Sequence, residues 1–182
     1  MGTSKKALFI AHLSILIAFT FILQATGLPQ PITGPLVNAM LFFTASYLGI
    51  IAGVILGMVT PLVALLMGQL PAALAPMVPA IAIANASLVV IFALMTKIKF
   101  KTTWPEKLKI YIAILVAASI KTLIMFLAIK LIIPVIFGQT FPDKLVLMMT
   151  TPQFVTAIIG GIISLFLIKL LKRTPMWEKE DR

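Results

Sequence analysis

The sequence predicts an all-α integral membrane protein: a bundle of six transmembrane helices with both termini in the cytoplasm. The composition is the first reason. Of 182 residues, 61% are hydrophobic and 11% charged, with a mean hydropathy of +1.15. A soluble domain is typically about 45–50% apolar and about 25% charged. The second reason is a gap in the charge pattern, since no Asp, Glu, Lys or Arg occurs from Ala7 to Thr96. A run of that length holds about four spans at roughly 20 residues each. The third is where the cations fall. With the N-terminus inside, all of the fifteen Lys and Arg except Lys121, Lys130 and Lys144 flank the cytoplasmic ends of the segments, as the positive-inside rule requires.

Apolar runs bounded by Pro, Gly, Gln or charge give the six segments in order. Segment one covers 7–27; its "KK" start followed by an apolar run reads as a first span rather than a signal peptide, because the later segments are equally hydrophobic. The loop "LPQPITGP" (28–35) leads into segment two, 36–48, which is short for a straight span, and Gly49 separates it from segment three, 50–68. Pro61, after Thr60, is expected to kink segment three. Three prolines break "GQLPAALAPMVP" (68–79), and segment four follows at 80–96. The basic loop "KIKFKTTWPEKLK" (97–109) precedes segment five, 110–133; "PVIFGQTFPDK" precedes segment six, 145–168. The chain is read as one domain over 1–182. Trp104 and Trp177 fall at the cytoplasmic edge, where interfacial tryptophans belong.

Several chemistries are poorly supplied. There are no cysteines and one histidine, so no cofactor or metal site is expected, and none of the five acidic residues lies in an apolar segment. The phosphate-binding pattern G-x-x-x-x-G-K-[ST] is missing, as are H-E-x-x-H and G-x-S-x-G. The net charge of +10 reflects membrane orientation and not nucleic-acid binding. Asn85-Ala86-Ser87 matches a glycosylation sequon by chance, inside an apolar run. His12 reads as a helix-contact residue, and Gly49, Gly53 and Gly57 as close helix packing.

The polar residues within the segments gather in the outer half of the membrane. Lys121 lies about thirteen residues from the outer end of segment five, roughly 20 Å deep at 1.5 Å per residue. Burying an ammonium there is unfavourable by a few kcal/mol or more on any estimate. Asn85, Gln153 and Thr156 lie in the outer parts of segments four and six; Asn38 opens segment two, and Gln24 and Gln30 bracket the end of segment one. This places a pocket open to the outside with Lys121 as its floor, suited to a carboxylate or phosphate. The competing reading has Lys121 bonded to backbone carbonyls or to Asn85 and holding no ligand. Lys130, near the outer interface, snorkels.

At the start of segment one, "KKALFIAHL" places Ala7 and Ala11 one turn apart, leaving room for another helix. With the size, the six segments and the missing ATPase motifs, this pattern resembles the substrate-binding S components of energy-coupling factor (ECF) vitamin transporters, over essentially the whole chain. The resemblance implies that Ala7 and Ala11 dock on a transmembrane coupling subunit that works with two ATPase subunits. It also implies a pocket closed by the loop after helix one and lined from helices four, five and six, where Asn85, Lys121 and Gln153 stand. The solute would be a small vitamin-like acid of the pantothenate, nicotinate or biotin kind, since no tryptophan is placed to stack on a flavin or thiamine ring. Two rivals are a stand-alone secondary carrier or channel, and a small membrane enzyme using Lys121. Carriers commonly show inverted repeats and carboxylate ion sites, neither of which is visible here.

Overall fold

A computed structural model describes residues 3–97, 105–138 and 140–173. Trp104, Trp177 and most of the basic loop lie outside the described residues. Among the described residues every regular element is helical: α1 (Thr3–Ala25), α2 (Gln30–Tyr47), α3 (Ile50–Leu66), a 3-10 helix (Ala72–Met77) running into α4 (Val78–Lys97), α5 (Glu106–Leu127), α6 (Ile133–Phe137), α7 (Asp143–Met148) and α8 (Thr151–Leu171). A single π turn, Ala128–Ile132, joins α5 to α6.

Four stretches are long and apolar enough to cross a bilayer: Lys5–Ala25, Ala72–Lys97, Leu108–Phe137 and Asp143–Leu171. The remaining two helices are shorter. With 18 and 17 residues, α2 and α3 are each roughly 26 Å long, against about 30 Å of hydrocarbon. Large apolar side chains such as Ile15, Ile22, Leu66, Ile162 and Phe166 face outward, while Thr20, Gln24, Asn38, Thr60, Asn85, Lys121 and Thr156 are buried. That is the polarity expected where the solvent is lipid and backbone and side-chain polar groups must find partners inside.

Three segment boundaries differ from the sequence reading, and proline explains each. Helix α2 starts at Gln30, so "QPITGP" is helical and only Thr26–Pro29 link it to α1. Pro31 occupies one of the first helical positions, where its missing N–H has no intrahelical acceptor in any case; the amides of Ile32 and Thr33 bond to Pro29 O at 2.9 and 3.1 Å. Helix five does not stop at 133. Pro134 cannot donate to the carbonyl four residues back, and the π turn takes up the change, with Ile133 N–H donating to Ala128 O. The rod then continues to Gly138, whose φ of 62° supplies the left-handed cap. Segment six is two helices, α7 and α8, broken at Met149–Thr150, with Pro152 in the first turn of α8.

The core has two parts. Phe42 on α2 and Phe92 on α4 meet edge to face, 4.8 Å between centroids, within a cluster that also holds Leu56, Leu88, Ile114 and Ala117. A second cluster joins Leu74 and Met77 of the 3-10 helix to Met125 and Ile129 near the π turn, and to Val146 of α7 and Met149. Glycines bring the helices close. A Cβ on Gly160 of α8 would stand 2.6 Å from Asn38 Cβ and from Pro35 O on α2, and one on Gly53 would stand 2.8 Å from Val89 Cγ1. His12 and Tyr47 tie α1 to α2 through a 3.3 Å hydrogen bond. Exposed Lys130 pairs with Asp143 at 3.5 Å, across the loop between α6 and α7.

Candidate functional site

A cavity of about 100 Å³ opens among the helix ends at three connections: α1 to α2, α3 to the 3-10 helix, and α7 to α8. The first two connections are stitched together by Gln69 Nε2, which donates to Leu28 O at 3.4 Å. A single water needs roughly 10–15 Å³ on the same measure, so the space admits a small molecule of several heavy atoms. Its polar lining comes from amides, one hydroxyl pair (Thr33 and Thr60) and a single charged side chain, Lys121. Among the described residues, no carboxylate and no aromatic ring lines it.

Lys121 is 3% exposed. Its ammonium donates to Asn38 Oδ1 at 2.6 Å. Asn38 is held so that this oxygen faces the lysine: its Nδ2 donates to Gly34 O at 2.9 Å and to Thr156 Oγ1 at 3.4 Å. Thr156 Oγ1 in turn donates to Gln153 O at 3.1 Å. Gly34 lets α8 come close here, since a Cβ would stand 3.1 Å from Thr156 Cγ2. The ammonium has three N–H donors, and Asn38 takes one. Ala117 and Ala118, fully buried one turn below, let neighbouring helices close beneath the lysine.

A second polar group forms on the other elements. Pro61 has no N–H to offer Gly57 O, which an uninterrupted helix would bond. Asn85 on α4 supplies the replacement, with Nδ2 donating to Gly57 O at 3.1 Å and to Thr60 Oγ1 at 3.2 Å. Thr60 Oγ1 donates to the same carbonyl at 3.1 Å. Gly57 makes room, because a Cβ there would stand 3.1 Å from Asn85 Cβ. Gln24 of α1 joins this group through Nε2 to Thr60 O at 3.0 Å.

The structure therefore brings Lys121, Asn38, Asn85, Gln30 and Gln153 to one cavity. Thr156 stands behind it, buried and bonded to Asn38. Gln30 reaches the cavity from the first turn of a helix and not from a loop. The competing reading had Lys121 bonded to backbone carbonyls or to Asn85; its partner is Asn38 instead. Asn85 is buried, which removes the sequon from consideration. Ala7 and Ala11 lie far along α1 in sequence from Gln24, both exposed. Thr33, Gly34, Val37, Met148 and Met149 were missed as lining residues. Thr33 and Gly34 sit in the stretch read as loop, where Pro31 near the helix start was the available signal, and Val37 sits in segment two as an apolar residue with nothing to mark it. For Met148 and Met149 only the Thr-Pro that follows marks the break. Among the described residues, no group of three or more His, Asp or Glu could hold a metal ion.

No curated protein and no solved structure matches the chain. The family model for the ECF transporter substrate-specific component matches residues 8–172. The helical membrane bundle and its polar cavity accord with that match, and the chain belongs to the family of substrate-specific components of ECF transporters.

Proposed function

We propose that this protein captures a small, anionic, vitamin-like solute from outside a prokaryotic cell and delivers it to an ATP-driven coupling module in the cytoplasmic membrane. The observation that carries this reading is Lys121: a buried ammonium at a cavity wall, paired with a neutral amide and, among the described residues, with no carboxylate. A buried charge is costly unless paired, and an anionic group of a solute supplies the pair. Asn38, positioned by Gly34 and Thr156, presents the lysine; Gln30 and Gln153 offer amides to the rest of the molecule. Both termini lie in the cytoplasm, as the distribution of Lys and Arg requires. Ala7 and Ala11 form the face on which the coupling subunit docks, and two ATPase subunits complete the importer.

The test is native mass spectrometry of detergent-purified protein to find a retained molecule, followed by binding of that molecule to Lys121→Ala. Equal affinity in parent and variant would sink the anion reading. Co-purification with a transmembrane coupling protein and two ATPases is the matching test of delivery.

A further inference from the structure

We infer that α6, at the outer end of the rod that begins with α5, is a membrane-surface foot: its exposed apolar face beds into the outer leaflet, at the boundary between headgroups and acyl chains. The inference is independent of which solute the cavity takes.

Four spans agree on where the outer edge of the hydrocarbon lies. A straight crossing takes about 20 residues. Counted from Lys6, Lys97, Lys109 and Lys169 at the cytoplasmic ends, that length reaches Thr26, Met77, Ile129 and Met149. Each falls at a break in the structure: the end of α1, the end of the 3-10 helix, the π turn, and the gap between α7 and α8. Met77, Ile129 and Met149 also pack in one cluster, which puts them at one level. The stretch Leu108–Phe137 has 30 residues, about 45 Å at 1.5 Å per residue, against about 30 Å of hydrocarbon. Its last turns, α6 included, therefore rise about 10 Å past that edge.

A rod that leaves the hydrocarbon for water turns polar, and α6 does not. Ile133–Phe137 holds no charged or hydrogen-bonding side chain. Val135, Ile136 and Phe137 are 83%, 66% and 59% exposed. They continue the outward face below them, through Leu123, Leu127, Leu131 and Ile132. In a regular helix, steps of four residues drift by about 40° each. The wider π turn takes up part of that drift, so Met125, Ile129 and Ile133 stay buried while Leu131 and Val135 stay outside. Lys130, at the level of the edge, pairs with Asp143, which leaves the face without net charge. Water is a poor solvent for such a face, and interfacial helices bury theirs about 5–10 Å into the headgroup and acyl boundary. On the inner side, Val146 of α7 and Met149 pack with Ile129 and Ile133, and Met149 also lines the cavity. The foot thus fixes the outer wall of the cavity relative to the bilayer surface.

The chain has no cysteine, so single cysteines can carry a fluorophore in the full chain, held one chain to a lipid nanodisc. The positions are Val135→Cys on α6, Leu123→Cys lower on the same face, and Lys144→Cys at an exposed site on α7. Quenching is read with lipids carrying a nitroxide at the headgroup or at the middle of the acyl chain. The probe on Val135→Cys should be quenched about threefold more by the headgroup nitroxide than by the mid-chain one, and the probe on Leu123→Cys in the reverse order. Quenching of Val135→Cys no stronger than that of Lys144→Cys places α6 in water and overturns the inference. Mid-chain quenching equal to that of Leu123→Cys sinks α6 into the hydrocarbon and overturns it as well. If the lipid quenching of Val135→Cys is lost when two chains share a disc, the face serves a second copy and the assignment to lipid falls. Phe137→Cys decides by the same outcomes should Val135→Cys not fold.

Discussion

Lys121 Nζ and Asn38 Oδ1 stand 2.6 Å apart, joining α5 to α2 inside the bundle. Eighty-three positions separate the two residues along the chain. The partner of the lysine is a neutral amide whose own NH2 is committed to Gly34 O and Thr156 Oγ1. The pair thus orients Lys121 Nζ through a neutral partner and not through a carboxylate.

Asn38→Asp tests that arrangement by placing a permanent anion beside the ammonium. The variant should lose affinity for the anionic solute by roughly tenfold to a hundredfold, since the charge-assisted bond is then made within the protein. Thermal stability should change little, because the new ion pair is offset by a carboxylate oxygen facing Gly34 O. Calorimetry on the parent and the variant measures the effect. Unchanged affinity would mean that the charge of Lys121 does not hold the solute.

Asn85 makes a prediction about stability. Its amide and the Thr60 hydroxyl together replace the N–H that Pro61 lacks, so Asn85→Leu removes one of two donors to Gly57 O and should destabilise the protein by about 1 kcal/mol. In a Pro61→Ala background the helix N–H to Gly57 O is restored, and the same substitution should cost clearly less. A double-mutant cycle by unfolding in detergent reads the coupling. Additive effects would show that Asn85 does not serve the proline-freed carbonyl.

How far the site could be read from the sequence follows from these residues. Lys121, Asn85 and Gln153 stood out because polar side chains are rare in apolar runs, and burial in lipid leaves them few roles; Gln30 stood out by its place at the end of segment one. Their partners did not stand out. Nothing local in "AASIKTLIM" or "GPLVNAM" says that Lys121 meets Asn38, because that contact is set by how α2, α5 and α8 cross. Segment two was read as starting at 36 because Pro and Gly in "LPQPITGP" outweighed the helix-start signal of Pro31. The six apolar segments were legible throughout, since the membrane imposes hydropathy on each of them; the π turn and the break between α7 and α8 respond to Pro134 and Pro152, whose local effects hydropathy does not register.

Gly160 should tolerate no side chain. An added Cβ would lie 2.6 Å from Asn38 Cβ and from Pro35 O, and 2.8 Å from Ala39 N. Two of these are main-chain atoms and the third is a β-carbon fixed to the main chain, with no flexible end to give way. Gly160→Ala should therefore destabilise the bundle by about 1–3 kcal/mol, despite the better helix propensity of alanine. It should also weaken solute binding, because moving α2 outward shifts Asn38 from Lys121. Melting temperature and calorimetry on the same preparation test both effects. A variant as stable as the parent would show that α2 and α8 are not packed this closely.

Ala7 and Ala11 should separate binding from delivery. Both are exposed on α1, on the opposite side of Gln24 in the chain from the cavity-lining residues of α2. Alanines one turn apart let a partner helix approach closely, and a large side chain at either position holds it off. Ala11→Phe, and Ala7→Phe with it, should leave solute affinity of the purified protein within about twofold of the parent, since the substituted surface is solvent- or lipid-facing and outside the core. Uptake into cells or proteoliposomes containing the whole importer should fall by about tenfold or more if docking depends on that close approach. Loss of both binding and uptake would point to damage within the bundle. Normal uptake by both variants would place the docking face elsewhere.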